Sequence, residues 1–332
     1  MKYILILKAY LFIALKVYWL NKKYTNSLFK ELDQILKIEM YSLSKELKKR
    51  IFSYTAISCI YASWICALRG KGLTQKEKKN LIYLGAITPI LDDLTDSLRI
   101  TSAEILHLLK NKNESEQHEI IIAKYLYKQL QNIQNEDFNS IFEEALISQD
   151  ASILQLEERF LNENELREIT CNKGGVWALL YRAVLDNPLK LDEKDVLITL
   201  GYALQQTNDM FDIYKDNINK QQTSFTNSKD INKNHLAYES TLKKIISQLK
   251  ILDYNKKDIE KCLIEISTIT SRGMVFLNQL ILLQGNSSDF NITKFTRKQL
   301  VCDMEKIYNI RKSIFFSVQF YEQCKTYDQV GK

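Results

Sequence analysis

Glycine and proline almost never interrupt this chain, which has nine glycines and two prolines in 332 residues. Folds built from strands and turns need these residues, and Asn-Gly pairs, far more often. Apolar residues recur instead at helical spacing along nearly the whole sequence, and no run alternates convincingly with period two. The sequence therefore predicts an all-α fold with about ten helices in one bundle-like domain.

Charge and cysteine content narrow the classes of function. The formal charge of +6 is spread along the chain without a dense basic block, so we expect no nucleic-acid partner. An anionic small substrate or a membrane surface fits this charge as well. The six cysteines form no C-x-x-C pair, and the three histidines lack zinc-ligand spacing, which indicates reduced core cysteines in a cytoplasmic protein.

The first 24 residues predict an amphipathic helix that is distinct from a domain over residues 25–332. Lys8 and Lys16 cut its apolar run short of the roughly 20 residues that a membrane span requires. No small-residue cleavage site follows, so we do not expect a cleaved signal peptide. Two interpretations stay open: a first helix packed on the core, or a basic helix in peripheral contact with a membrane.

Capping signals divide the remaining helical pattern. Thr74 with Glu77, and Thr101 with Glu104, have the spacing of capping boxes. We expect a kink at Pro89 and a functional loop or lid in the polar stretch 217–234. The predicted helices cover 25–69 (as one helix or two), 75–98, 115–133, 137–160, 163–186 with an interruption at 173–176, 192–216, 235–252, 255–284 and 297–326.

Three aspartates follow an apolar helical segment in the stretch ILDDLTDSL. Helical spacing puts Asp92 and Asp96 on one face, with Asp93 beside them. One turn before Asp92 this face carries Thr88, and two turns before it Gly85. Small side chains behind oxygen ligands are what a pocket with a charged mouth would need.

A second acidic row lies in the stretch LQQTNDMFDIYKD. Asn208, Asp212 and Asp216 are spaced four and four, so on a helix they form a row about 12 Å long. Leu204 and then Gly201 lie behind that row on the same face. The second stretch therefore repeats the arrangement of the first.

Carboxylates near the negative end of a helix dipole are unfavourable unless a cation neutralises them. Magnesium takes oxygen ligands and commonly bridges one or two carboxylates to the phosphate oxygens of a substrate. The alternative is a solvated acidic face, which explains either stretch taken singly. The two rows together favour a metal site.

Both stretches resemble known motifs. DDLTD resembles the D-D-x-x-D motif of the all-helical isoprenoid synthases, which include terpene synthases, head-to-tail prenyltransferases and squalene or phytoene synthases. NDMFDIYKD is similar to the second metal motif of terpene synthases, N-D-x-x-S-x-x-K-E, with Asp212 in the serine place and Asp216 in the glutamate place. LGYALQQTNDMFDIYKD also resembles the L-G-x-x-L-Q-x-T-N-x-x-R-D-x-x-E-D segment of squalene and phytoene synthases.

The resemblance implies a bundle of about ten or more helices around a central apolar cavity, with three magnesium ions holding a prenyl diphosphate at its mouth. The implied metal ligands, which are also the catalytic residues, are Asp92, Asp93, Asp96, Asn208, Asp212 and Asp216. The implied or candidate diphosphate contacts are Lys215, Lys173, Arg167 and Arg311. The expected cavity-lining residues are Gly85, Thr88, Trp177, Tyr181, Gly201 and Leu204, although the two aromatic side chains also suit an ordinary core.

The departures from these motifs order the functional hypotheses. Phe211 stands where squalene and phytoene synthases have an arginine, Lys215 where they have a glutamate, and the later motif lacks the second D-D-x-x-D of chain-elongating enzymes. A magnesium-dependent terpene synthase, a carbon–oxygen lyase that ionises a prenyl diphosphate, is therefore the first hypothesis. The alternatives are a prenyltransferase that condenses two prenyl diphosphates and a non-catalytic helical protein that docks on a membrane.

Overall fold

The computed structural model describes residues 2–38, 41–111, 117–156 and 158–330, and these residues form helices and no strand. The predicted all-α fold is thereby confirmed. The α-helices in the described residues are α1 (Lys2–Ile38), α2 (Lys45–Leu68), α3 (Gln75–Asp92), α4 (Ser102–Lys110), α5 (His118–Leu130), α6 (Phe138–Ile153), α7 (Glu163–Ala183), α8 (Leu191–Phe211), α9 (Ile213–Ile218), α10 (Ile231–Ile251), α11 (Lys256–Gln284), α12 (Arg297–Leu300) and α13 (Ile307–Val330).

Contacts divide the chain into two compact units. Unit 1 comprises Met1–Leu11, Ala151–Gly175 and Leu191–Lys332, and unit 2 comprises Phe12–Asp150 and Val176–Lys190. Helices α1, α6 and α7 each contribute residues to both units. The boundary that the sequence suggests after residue 24 lies inside α1. A central apolar cavity stays a prediction.

Each unit has a helix at the centre of its core. In unit 1, α11 packs against α8, α10 and α13, and Phe276, Leu277 and Leu280 on it are completely buried. In unit 2, α3 packs against α2 and α5, and its side chains Leu84 and Ile87 are completely buried. These helices are apolar on several sides because neighbours cover them on several sides.

Both predicted capping boxes are confirmed. The Thr74 hydroxyl accepts from the backbone N–H of Glu77, whose carboxylate accepts from the N–H of Thr74, and Thr101 and Glu104 repeat this exchange.

Helix α3 continues through Pro89 to Asp92 and then widens into a π-helical turn, Asp93–Ser97, so this turn carries most of the first acidic stretch. Turns of this kind are frequent at functional sites.

The predicted interruption at 173–176 is wrong, because α7 is continuous through it. A Cβ atom on Gly174 would lie 2.3 Å from the carbonyl oxygen of Gly201, and one on Gly175 would lie 3.0 Å from a methyl carbon of Ile198. The glycines therefore let α7 approach the backbone of α8 closely. Packing between the helices offsets the low helix propensity of the glycine pair.

Two other predicted helices are divided. The helix over 192–216 breaks at Asp212, between α8 and α9, and the helix over 297–326 is split by residues 301–306 into α12 and α13.

In the predicted lid, residues 219–230 form a loop in which Thr223 and Phe225 are buried. The backbone N–H of Gln222 also donates to the carbonyl of Gln155, so packing and hydrogen bonds hold this loop.

Three described helices are long and apolar enough to cross a membrane by length and composition alone, namely α1, α2 and α11. The sequence predicted that Lys8 and Lys16 cut the apolar stretch of α1 short of a membrane span. By length and composition this prediction is wrong. The most apolar stretches of α2 and α11 are 67% and 61% buried, whereas that of α1 is only 17% buried. Burial thus separates α1 from the two core helices.

Gly174→Ala tests the close helix approach. We expect a net loss of about 1–2 kcal/mol in the free energy of unfolding, because overpacking against the Gly201 carbonyl outweighs the helix propensity gained. Thermal and denaturant unfolding followed by circular dichroism would measure it. Gly72→Ala is the matched control, since a Cβ at Gly72 meets nothing within 4 Å. Equal stability of the two variants would contradict the packing explanation.

Candidate functional sites in the two units

In unit 2, two neutral side chains hold Asp92 at the end of α3. The Tyr54 hydroxyl donates to Asp92 Oδ2 at 2.7 Å, and Gln149 Nε2 donates to Asp92 Oδ1 at 2.9 Å. Burial, and then the charge of Asp92, raise the pKa of Tyr54, so this phenol stays protonated and keeps donating. The orientation of the half-buried carboxylate is thus fixed by two hydrogen bonds.

The other two aspartates of the first stretch have different surroundings. Arg50 Nη1 lies 2.7 and 2.6 Å from the two oxygens of Asp93, and Arg50 Nη2 donates to the carbonyl of Pro89 at 3.1 Å. Asp96 is exposed. In this arrangement Asp93 neutralises Arg50, so the sequence-predicted ligand role of Asp93 would require that ion pair to open.

Buried aromatic rings lie near Asp92 in unit 2. The rings of Tyr61 and Tyr181 stack at 4.9 Å between centroids, Trp64 meets Tyr61 edge-on at 5.3 Å, and Trp177 lies 6.4 Å from Tyr181. All four side chains are buried. We call them the aromatic cluster. The sequence pointed to Trp177 and Tyr181 but missed Tyr61 and Trp64, which α2 supplies at i and i+3.

Packing explains in part why Gly85 and Thr88 stand on α3 before Asp92. A Cβ atom on Gly85 would lie 2.3 Å from Ser58 Oγ and 2.8 Å from the Cα of Thr55, so the small residue lets α2 lie close to α3. Burial raises the pKa of Tyr181 to about 12, although hydrogen bonds with Thr88 and Ser58 oppose the rise. Thr88 therefore connects α3 to the aromatic cluster.

In unit 1, the predicted row of Asn208, Asp212 and Asp216 survives the break between α8 and α9. The N–H of Asp212 donates to the carbonyl of Asn208 at 2.9 Å, and the N–H of Asp216 donates to that of Asp212 at 2.8 Å. Helical hydrogen bonding therefore continues through Asp212. Asn208 Nδ2 also lies 3.5 Å from Asp212 Oδ2, which joins the first two side chains of the row.

The carboxylates of this second stretch repel one another in a buried setting. Burial raises the pKa of Asp216 to about 7, and repulsion by Asp209 and Asp212 adds to the rise, while Lys215 and Lys173 oppose it. Burial likewise raises the pKa of Asp209 to about 6, against a hydrogen bond from Gln205 at 2.8 Å. We call Asp209, Asp212 and Asp216 the acidic cluster. The lysines do not fully compensate its negative charge.

Asp209 is a member that sequence reasoning missed. It lies on the buried side of α8, away from the exposed Asn208, and so falls outside the four-residue spacing used to find the row. The motif itself carried the signal, because Asp209 directly follows the asparagine in NDMFD. Lys173 on α7 lies near enough to Asp209 and Asp216 to lower the pKa of each.

Of the other predicted site residues in unit 1, some lie beside the acidic cluster and others do not. Lys215 lowers the pKa of Asp216 and thus lies beside the acidic cluster, while its side chain is exposed. Gly201 is buried beneath Gly174, and Leu204 is half-buried on α8. Arg167 is exposed near Tyr202, whose pKa it lowers against the effect of burial. Arg311 is exposed on α13 and has no contact that links it to the acidic cluster among the described interactions.

The donor chemistry of the second stretch fits magnesium. Its amide and carboxylate oxygens are hard ligands, and their mutual repulsion would be relieved by a divalent cation. Within the described part of the chain, no group of three or more His, Cys, Asp or Glu side chains has the arrangement of a metal site. Magnesium commonly takes only one or two carboxylates and completes its shell with water or phosphate oxygens.

No protein-family model matches this chain, and no curated protein is significantly similar to it in sequence.

The raised pKa values predict a pH-dependent stability. In metal-free buffer Asp209 and Asp216 bind more protons in the folded protein than in the unfolded chain between about pH 4, the ordinary carboxyl range, and pH 7. The free energy of unfolding should therefore fall as pH rises across this window. Asp216→Asn should flatten the fall, and denaturant unfolding at several pH values would measure it.

The control is Asp96→Asn, which makes the same substitution at an exposed aspartate outside the acidic cluster. Magnesium should raise the unfolding temperature of the unsubstituted protein most at the alkaline end, where the acidic cluster is ionised. An identical pH profile in the Asp216→Asn variant would refute the electrostatic description.

Proposed function

We propose that this protein is a magnesium-dependent enzyme that ionises a prenyl diphosphate to an allylic carbocation and inorganic diphosphate, as terpene synthases do. The observation that carries the proposal is the acidic cluster of unit 1, with pKa values of about 6 and 7 for two buried carboxyls and with lysines near enough to lower these values. Such a cluster favours a divalent cation, and adjacent lysines favour the anion that the cation would bridge.

In this proposal Asn208, Asp212 and Asp216 hold magnesium in unit 1, and Asp92 is an oxygen ligand in unit 2. Bound magnesium would neutralise the charge that develops on the leaving diphosphate. Lys173 and Lys215 attract the diphosphate electrostatically and stabilise it as it leaves. Tyr54 and Gln149 keep the Asp92 carboxylate in a fixed orientation, which lowers the cost of reorganisation when charge develops.

The aromatic cluster supports the second half of the reaction. An allylic cation is stabilised by the faces of aromatic rings, and the effect grows when water is excluded. Trp177 and Tyr181 are 8% and 4% exposed, so cation–π attraction there would be little screened by solvent. The proposed sequence is therefore ionisation at oxygen ligands, followed by cyclisation or elimination in which the carbocation loses a proton to the released diphosphate.

Incubating purified protein with prenyl diphosphates of several chain lengths, with and without magnesium, tests the proposal. Released diphosphate and extracted hydrocarbons are measured. We expect release that depends on magnesium and does not need NADPH. A product that forms only with NADPH would instead indicate the reductive condensation of two substrates, and no magnesium-dependent release from any substrate would refute the proposal.

Substitutions separate the chemistry from the fold. Asn208→Ala and Asp216→Asn should each lower turnover by about 100-fold or more, because each removes a proposed oxygen ligand that acts on the developing charge. Asp195→Asn is the matched control, since Asp195 is an exposed aspartate on the same helix. All three variants should keep the helical circular dichroism spectrum. Full activity of both site variants would remove the acidic cluster from the mechanism.

Trp177 gives a separate test of the aromatic cluster. Trp177→Phe keeps an aromatic face, whereas Trp177→Leu keeps an apolar side chain without one. We expect the Leu variant to lose about 0.5–2 kcal/mol of transition-state stabilisation relative to the Phe variant, or to release a different set of hydrocarbons. Turnover with product analysis measures both effects. Identical rates and products in the two variants would show that the ring serves only the core.

A further inference from the structure

Helix α1 exposes a broad apolar face. Nine of its large apolar side chains are between 40% and 64% exposed. They are Tyr3, Ile4, Leu5, Leu7, Leu11, Phe12, Leu15, Tyr18 and Trp19. At 100° per residue they cover more than half of the helix circumference. We call them the exposed face of α1. Contiguous apolar surface of this extent on a protein marks an interaction site.

The opposite side of α1 is anchored to protein. In unit 1, Ile6 is completely buried in a cluster with Ile264, Val318 and Tyr321. The hydroxyl of Tyr10 lies in hydrogen-bonding distance, 2.7 to 3.0 Å, of three serine hydroxyls. They belong to Ser271, Ser313 and Ser317. Because such a buried polar group requires its partners, this cluster fixes the rotation of α1 about its axis.

Residues of unit 2 hold α1 farther along the helix. Lys16 Nζ donates to Ser63 Oγ at 3.2 Å, and buried Asn21 donates to the carbonyl of Phe52 at 2.8 Å. The Asn21 side-chain oxygen also accepts from Thr55 at 2.6 Å. Tyr10, Lys16 and Asn21 are therefore hydrogen-bonded within the protein, and the apolar face is held outward.

The charge of this segment indicates what covers the exposed face. Residues 1–30 contain six lysines and no aspartate or glutamate. Lys8 lies among the apolar side chains of the exposed face, and Lys22 and Lys23 follow at its end, all three exposed. An apolar face with aromatic residues and lysines, and without acids, is complementary to a membrane surface that carries anionic headgroups.

We propose that α1 lies in the interface of a membrane containing anionic lipids, with the exposed face inserted between headgroups and acyl chains. The helix lies on the membrane and does not span it. One side is bonded to protein, and an ammonium group at Lys8 would be costly at hydrocarbon depth, whereas at the interface its long side chain reaches the headgroups. This inference is independent of the catalytic proposal, because it concerns lipid binding alone.

Tryptophan fluorescence tests insertion directly. Trp19 is 64% exposed, whereas Trp64 and Trp177 are 2% and 8% exposed, so a change from water to lipid affects chiefly Trp19. We expect a blue shift with vesicles of phosphatidylcholine and phosphatidylserine in equal parts, and a smaller shift with phosphatidylcholine alone. Trp19→Phe should still bind the mixed vesicles and lose the shift. A blue shift that persists in this variant would contradict insertion of α1.

Co-sedimentation with the same vesicles tests which surface binds. The double variant Leu11→Glu/Trp19→Glu should lower the partition coefficient at least about tenfold, because each large apolar side chain contributes roughly that factor on burial. The control is Leu236→Glu/Leu282→Glu, which makes the same change in charge at residues that are 65% and 71% exposed on α10 and α11. It should bind as the unsubstituted protein does.

Two results would overturn the proposal. One is equal vesicle binding by the two double variants. The other is a protein that does not bind vesicles but forms a dimer in sedimentation velocity, where only Leu11→Glu/Trp19→Glu disrupts the dimer. A second copy of the chain would then cover the exposed face.

Raising the salt concentration should weaken binding to the mixed vesicles, since screening acts on the lysine contribution.

Discussion

The close approach of α7 to α8 is the constraint on which the unit 1 site depends. A Cβ atom on Gly174 would lie 2.3 Å from the carbonyl oxygen of Gly201, a distance that no side chain tolerates. Because the backbones meet here, Lys173, the neighbour of Gly174, comes near the end of α8. Its charge reaches Asp209 and Asp216. A packing requirement thus places a cation beside the acidic cluster.

This arrangement gives the acidic cluster its chemical character. Three carboxylates on α8, α9 and the residue between them share a partly buried volume, and burial raises two of their pKa values above the ordinary carboxyl range. The lysines oppose this rise without cancelling it. Carboxyl groups that titrate near neutral pH would release protons if they bound a metal cation.

The helices and the acidic row could be predicted from the sequence because their causes are local. Capping boxes at Thr74 and Thr101 need only residues three apart, and the row at Asn208 needs only helical periodicity. The packing role of Gly174 and Gly175 could not be predicted this way. Their low helix propensity suggests a break in the helix, and only the position of α8 shows why glycine is needed there. Arg50, which pairs with Asp93 from 43 positions away, was equally invisible to a local pattern.

The two acidic stretches differ in how far the protein already satisfies them. Asp92 accepts from Tyr54 and Gln149, and both oxygens of Asp93 accept from Arg50 Nη1. In the acidic cluster of unit 1, burial and mutual repulsion instead raise the carboxyl pKa values, and the lysines lower these values only in part. Binding of a divalent cation would therefore be more favourable at the second stretch, where it would relieve repulsion, than at Asp93, where it would have to displace an arginine. On this reasoning the second stretch would bind a metal ion more readily than Asp93 would, because the ion pair of Asp93 with Arg50 would first have to open.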